Sequence, residues 1–137
     1  MNRKDLIELT KIRLREARTL LKNRNYDGAY YLFGYVVECG LKACIAKQTK
    51  KHDFPNKITV NQSYTHDLTQ LVKVAGLELA LDLETKRNPK FERNWAVVKD
   101  WSEDSRYEKH TDKEAQDLCS AIVDIKNGVF KWIKQHW

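Results

Sequence analysis

Residues 29–46, AYYLFGYVVECGLKACIA, are apolar nearly all round when wound as a helix. Tyr30, Leu32, Phe33, Val36, Val37, Leu41, Cys44 and Ile45 leave no side free of large apolar groups. Such a helix has to be covered on several sides, so this segment predicts the centre of a helical bundle. The predicted helix runs from Asp27, placed as its N-cap, to Lys47. Its main charged interruptions are Glu38 and Lys42, spaced i, i+4 with the acid first, the order that favours a side-chain ion pair.

The rest of the chain agrees with an all-α reading. Only 5 Gly and 2 Pro punctuate 137 residues, too little turn chemistry for a β-sandwich or barrel. The length suits a single domain spanning 1–137. Residues 4–23 predict a first, amphipathic helix. Leu6, Leu9, Ala17, Leu20 and Leu21 gather on one face, and Lys4, Lys11, Arg15, Arg18 and Lys22 on the other. Arg13 falls inside the apolar arc. Residues 48–66, with Lys50, Lys51 and Pro55, predict one long loop. A short helix follows from Asp67 and stops at Gly76, and residues 77–86 add a turn or two. Asn88-Pro89 starts the next helix. Thr111 and Glu114 form a capping box for a last helix carrying Leu118, Ile122, Ile125, Val129, Trp132 and Ile133 on one side. Gly128 is its weak spot. The expected architecture is an all-α, up-and-down bundle of four to five helices.

Charge is unevenly spread. Residues 1–60 hold 13 Lys+Arg against 6 Asp+Glu, and residues 61–137 hold 12 against 13. The basic excess of the first half admits a polyanion partner, with Arg15, Arg18 and Lys22 as candidate phosphate contacts along the first helix. A solvated face explains the same stripe. Three cysteines, Cys39, Cys44 and Cys119, make no disulfide framework and read as small apolar groups in a reduced chain. No run approaches 18 uninterrupted apolar residues, and the N-terminus lacks a signal-peptide core. A cytoplasmic protein without membrane association is expected.

Several chemistries find no residues to carry them. His52, His66, His110 and His136 form no i, i+4 pair, and no Cys-x-x-Cys is present, so no metal is expected. His66-Asp67 reads as the cap of the helix at Leu68. No phosphate loop or serine-hydrolase motif occurs, and no cofactor is expected. The strongest chemical candidate is Ser105-Arg106-Tyr107-Glu108-Lys109-His110 between two helices. Arg106 offers a permanent positive fork to a phosphate, and His110 exchanges a proton near neutral pH. Together they would suit cleavage of a phosphodiester without metal. The competing reading is a turn in which Arg106 pairs with Glu38, Glu103 or Asp104 and His110 is exposed.

These segments carry a resemblance. Asn25-Tyr26-Asp27-Gly28-Ala29-Tyr30-Tyr31, continuing to Glu38-Cys39-Gly40-Leu41-Lys42-Ala43, resembles the second-helix signature of HEPN domains. Thr65-His66-Asp67-Leu68 resembles the start of their next helix, and Trp101-Ser102 with Ser105-Arg106-Tyr107 the turn before the final one. The resemblance implies a helical bundle, a homodimer with its site in the interface cleft, and RNA or nucleotide as ligand. It also implies a metal-independent RNase or toxin, within a toxin–antitoxin or phage-defence system and beside a nucleotidyltransferase partner, or else a non-catalytic interaction module. By position, Arg106 would bind the scissile phosphate and His110 would act as acid–base, with Tyr107, Glu38 and Lys42 at binding positions. Three residues separate Arg106 from His110, where the RNases have four to six, and Tyr107 replaces a frequent polar residue. Trp95, Trp101, Trp132 and Trp137 give surplus aromatic surface that would suit a dimer interface.

Overall fold

The computed structural model describes residues 1–49, 53–54 and 56–137. Lys50, Lys51, His52 and Pro55, including the basic part of the expected loop, lie outside the described residues. Among the described residues, eight α-helices and one 3₁₀ turn make up the regular structure, and no strand occurs. The all-α bundle is therefore as the sequence predicts, with shorter pieces added to the main helices.

Helix α1 (Arg3–Lys22) opens on a capping box between Asn2 and Asp5. Just past its C-cap, Asn23, comes Arg24, whose φ of 62° is left-handed. Asn25 N donates to Leu20 O at 2.9 Å and Arg24 N to Leu21 O at 3.1 Å, which closes the helix and turns the chain back. Helix α2 (Tyr26–Lys47) then packs along α1. The predicted N-cap is corrected here. Asn25 occupies that place without a side-chain cap bond, and Asp27 lies in the first turn. The Asp27 carboxylate instead accepts from the His110 amide at 2.6 Å.

Helix α2 is the centre of the molecule, touching α1, α4, α7, α8 and the 3₁₀ turn. Phe33, Val36, Val37, Leu41 and Ala43 are fully buried. By length and hydropathy this helix would also pass for a membrane span, but 67% of its apolar window is buried within the bundle.

The segment expected as one loop contains α3 (Lys57–Gln62), capped by Asn56 through Ile58 N. Helix α4 (Leu68–Val74) is capped by Asp67, which accepts from Gln70 N at 3.1 Å. Gly76 ends it with a left-handed φ of 70°, and Leu77 N reaches back to Val72 O. The residues expected to add a turn or two form α5 (Glu78–Arg87), a helix of 10 residues. Asn88 caps α6 (Pro89–Lys99), with Pro in the first turn as predicted.

The predicted last helix is broken. Helix α7 (Asp112–Val123) and α8 (Val129–Lys134) are separated by a turn at Asp124–Gly128, and Ile125 is 86% exposed instead of joining the apolar face. Contacts from α6 hold the break. Asn88 Nδ2 donates to Asn127 Oδ1 at 2.8 Å, and Asn94 Nδ2 to Asn127 O at 2.9 Å. A Cβ on Gly128 would lie 2.4 Å from Asp124 O, so only glycine fits this turn.

The tryptophans are absorbed by the core. Trp95, Trp101 and Trp132 are each under 10% exposed. Trp137 packs edge-on to Phe130 at 5.6 Å. Three of the four tryptophans expected to suit a dimer interface are therefore core packing, and Trp137 is partly exposed at the edge of that core.

Candidate functional site

A 3₁₀ turn (Glu103–Tyr107) joins α6 to the last helices. Ser102 starts it by accepting from Asp104 N at 3.1 Å, and buried Ser105 presses it onto α2. Trp101, just before the turn, lies flat against Gly34 of α2. This docking brings Glu103 beside the middle of α2, where Glu38 is 0% exposed.

The link between the two acids is His66, from the segment before α4. Its Nδ1 contacts Glu38 Oε1 and its Nε2 lies 3.0 Å from Glu103 Oε2. Lys42 Nζ reaches the same Glu38 oxygen at 3.2 Å. Arg106 Nη2 lies 3.1 Å from the other Glu103 oxygen. Lys42, Glu38, His66, Glu103 and Arg106 thus form one chain of alternating charge, provided the imidazole carries both N–H groups. Only that form donates to both carboxylates. Glu38 Oε2 has no hydrogen-bond partner among the described residues.

The network joins three of the candidate residues, Arg106, Glu38 and Lys42. The i, i+4 pair on α2 forms as expected, and Arg106 pairs with Glu103, one of its three expected partners. The cap that the sequence assigns to His66-Asp67 is made by the Asp67 side chain, and His66 is the bridge instead. Its part as a bridge was hidden, because 28 residues separate it from Glu38 and only the fold brings them together.

At the outer end, the Arg106 side chain is 44% exposed. Its guanidinium stands 4.9 Å over the ring of Tyr107, which is itself 79% exposed. A solvent-facing cation beside a bare aromatic ring can hold a phosphate and stack a flat base.

His110 belongs to a second cluster. Its side chain is only 6% exposed, against the exposed position weighed from the sequence. The ring stacks on Tyr30 at 3.8 Å between centroids with 14° between planes. Its Nδ1 lies 3.0 Å from Glu114 Oε2. Thr111 Oγ1 accepts from Glu114 N at 3.1 Å, the first half of the predicted box. Hydrogen bonds from the His110 ring and the Thr111 hydroxyl hold the Glu114 carboxyl below its ordinary value. Among the described residues, no hydrogen bond or ion pair joins Arg106 to His110. A shallow cleft of about 400 Å³, lined by Arg24, Asp27, Lys109 and His110 among others, adjoins this cluster.

Arg15, Arg18 and Lys22 are exposed on α1, as are Lys4 and Lys11. None of them joins either cluster. Arg13, the exception to the stripe, pairs with Glu16 at 2.8 Å. No group of three or more metal-ligating side chains occurs among the described residues.

The cysteines are inert by environment. Burial pushes the Cys39 and Cys44 thiols up to about 11, and burial also raises Cys119. A thiol in that range is almost wholly protonated at neutral pH, and the thiolate is the nucleophile. Native protein treated with a disulfide reagent at pH 7.5 is therefore expected to leave Cys39 and Cys44 unlabelled, with Cys119 reacting slowly. Intact-mass measurement checks this, with all three labelled in guanidinium as the reference.

A family model described as HEPN domain matches residues 4–136, nearly the whole chain. No curated protein and no solved structure matches it.

Proposed function

The chain belongs to the HEPN domain family, and from that premise we propose that it binds RNA or a nucleotide through Arg106 and Tyr107. The observation that carries this reading is the exposed guanidinium over the exposed ring, anchored through Glu103 and His66 to a buried acid of the central helix. Anchoring matters because a pre-set cation loses little freedom when it meets a phosphate. The exposed stripe Arg15, Arg18 and Lys22 would add sequence-independent attraction that weakens with salt.

The reading assigns binding, not cleavage, to the single chain. His110 is stacked under Tyr30 and engaged by Glu114, so its ring is not presented to a substrate at Arg106. A second reading, in which a homodimer brings Arg106 of one protomer to His110 of its partner, follows the family resemblance. A toxin–antitoxin or phage-defence setting and a nucleotidyltransferase partner rest on that resemblance alone and add no residue to the site.

Arg106→Ala is expected to weaken binding of a fluorescent structured RNA by about tenfold, the loss of one charged hydrogen bond. Its melting temperature should stay within about 2 °C of the parent, because the exposed pair with Glu103 contributes little stability. Incubation with RNA in EDTA should give no cleavage that depends on His110. Cleavage abolished by His110→Ala would overturn the binding reading in favour of the dimeric nuclease. Unchanged RNA affinity in Arg106→Ala would remove Arg106 from the site.

A further inference from the structure

A cavity of about 700 Å³ lies away from both clusters, between the start of α1, the end of α2 and α3. That volume is in the range of small-molecule sites. Its walls are mostly apolar, with Leu6, Ile45 and Val60 contributing, and Thr49, Thr59 and Ser63 supply hydroxyls. Its charged groups are of one sign. Arg3, Lys42 and Lys47 line it, and no acidic side chain does among the described residues.

The three cations differ in how far they are already used. Lys42 pairs with Glu38, and Arg3 Nη2 donates to Trp137 O at 2.6 Å. Lys47 is exposed in the last turn of α2, with no ion pair among the described residues. A cavity with apolar walls and a one-sided positive rim favours a ligand that is apolar in body and acidic at one end. A neutral apolar ligand would leave the cations unused, and a small inorganic anion would leave the apolar wall wet.

We propose that this cavity is a second ligand site, for a small organic anion whose acid group meets Lys47 and whose apolar body lies against Leu6, Ile45 and Val60. The site does not depend on the reading of Arg106. It touches that network only at Lys42, whose ammonium stands between the cavity and Glu38.

A dye pair tests it on the full chain. Anilinonaphthalene sulfonate carries an apolar ring system and one acid group. N-phenyl-1-naphthylamine has the same rings without the acid. The sulfonate should bind saturably with one site per chain and bind about tenfold more tightly than the neutral dye. Lys47→Glu places a like charge at the rim and should weaken the sulfonate by about tenfold or more. Ala46→Trp fills the cavity and should abolish both dyes. Cooperative melting of each variant ensures that the dye reads a folded chain and not a loosened core. Equal binding of the two dyes, or sulfonate binding unchanged in folded Lys47→Glu, would overturn the proposal. RNA titrations on the parent chain separate this result from the Arg106 reading, since RNA binding without saturable sulfonate binding sinks only the cavity.

Discussion

Gly34→Ala is expected to lower the melting temperature by about 10 °C, corresponding to about 3 kcal/mol. A Cβ at position 34 would lie 2.1 Å from Cδ2 and Cε2 of Trp101, far inside contact distance. The obstacle is a rigid indole that is 3% exposed and stacked against Tyr31, so it has nowhere to rotate. Either Trp101 leaves its seat or α2 moves away from it. Trp101 leads directly into the turn carrying Glu103 and Arg106, so RNA affinity should fall along with stability. Gly28→Ala supplies the contrast on the same helix. Its Cβ would meet only Leu20 Cδ1 within close range, at 3.2 Å, the end of a flexible side chain. Its stability should stay within about 1 kcal/mol of the parent, since the helix-propensity gain of alanine offsets the small shift. Thermal melts of the two variants side by side decide the matter. Equal melting temperatures would mean that the seat of Trp101 on α2 is not close-packed.

Glu38→Leu should raise stability while weakening RNA binding. Glu38 is the costly member of its network, a carboxylate with 0% exposure and one oxygen without a partner. Its partners are better placed for water, since the Lys42 and His66 side chains are 23% and 45% exposed. Removing the acid leaves the Lys42 ammonium and the His66 ring free to hydrate, while leucine fills a similar volume. Replacing a buried ion group by an apolar one of similar size commonly gains about 1–4 kcal/mol. A gain of about 1–2 kcal/mol is expected here, read as a higher midpoint in urea. The cost falls on the site. His66 loses its anchor, Glu103 then answers to Arg106 alone, and the guanidinium is held less firmly toward its ligand. RNA affinity should drop several-fold with no loss of helix content. A lower urea midpoint would show that the ion network stabilises the fold outright. Unchanged RNA affinity would disconnect Glu38 from Arg106.

The helix boundaries that sequence reads well are those made by neighbours in the chain. Asn88-Pro89, Asp67, Thr111 and the stop at Gly76 each use side chains or backbone angles within a few residues. The failures share a different origin. Asp27 has the chemistry of an N-cap, but its carboxylate is taken by the amide of His110, 83 residues away. Residues 118–133 keep one apolar face on paper, yet Asn88 and Asn94 hold Asn127 in a turn that splits them. The tryptophans give the same lesson from packing. Large rings look like surplus until the groove beside Gly34 and the ring of Phe91, 5.7 Å from Trp132, are seen to receive them.

The site divides along the same line. Sequence alone placed Glu38 beside Lys42, because a helix fixes the spacing of residues four apart, and it placed Arg106 on a turn ahead of a helix. It also made the all-round apolar segment the centre of the bundle, since no other position would bury it. Only the tertiary structure decided that His66 bridges Glu38 to Glu103, that Arg106 faces solvent over Tyr107, and that His110 turns inward onto Tyr30. The contacts of His66 and His110 join segments that no local rule relates, and the exposure of Arg106 follows from how packing on α2 seats its turn.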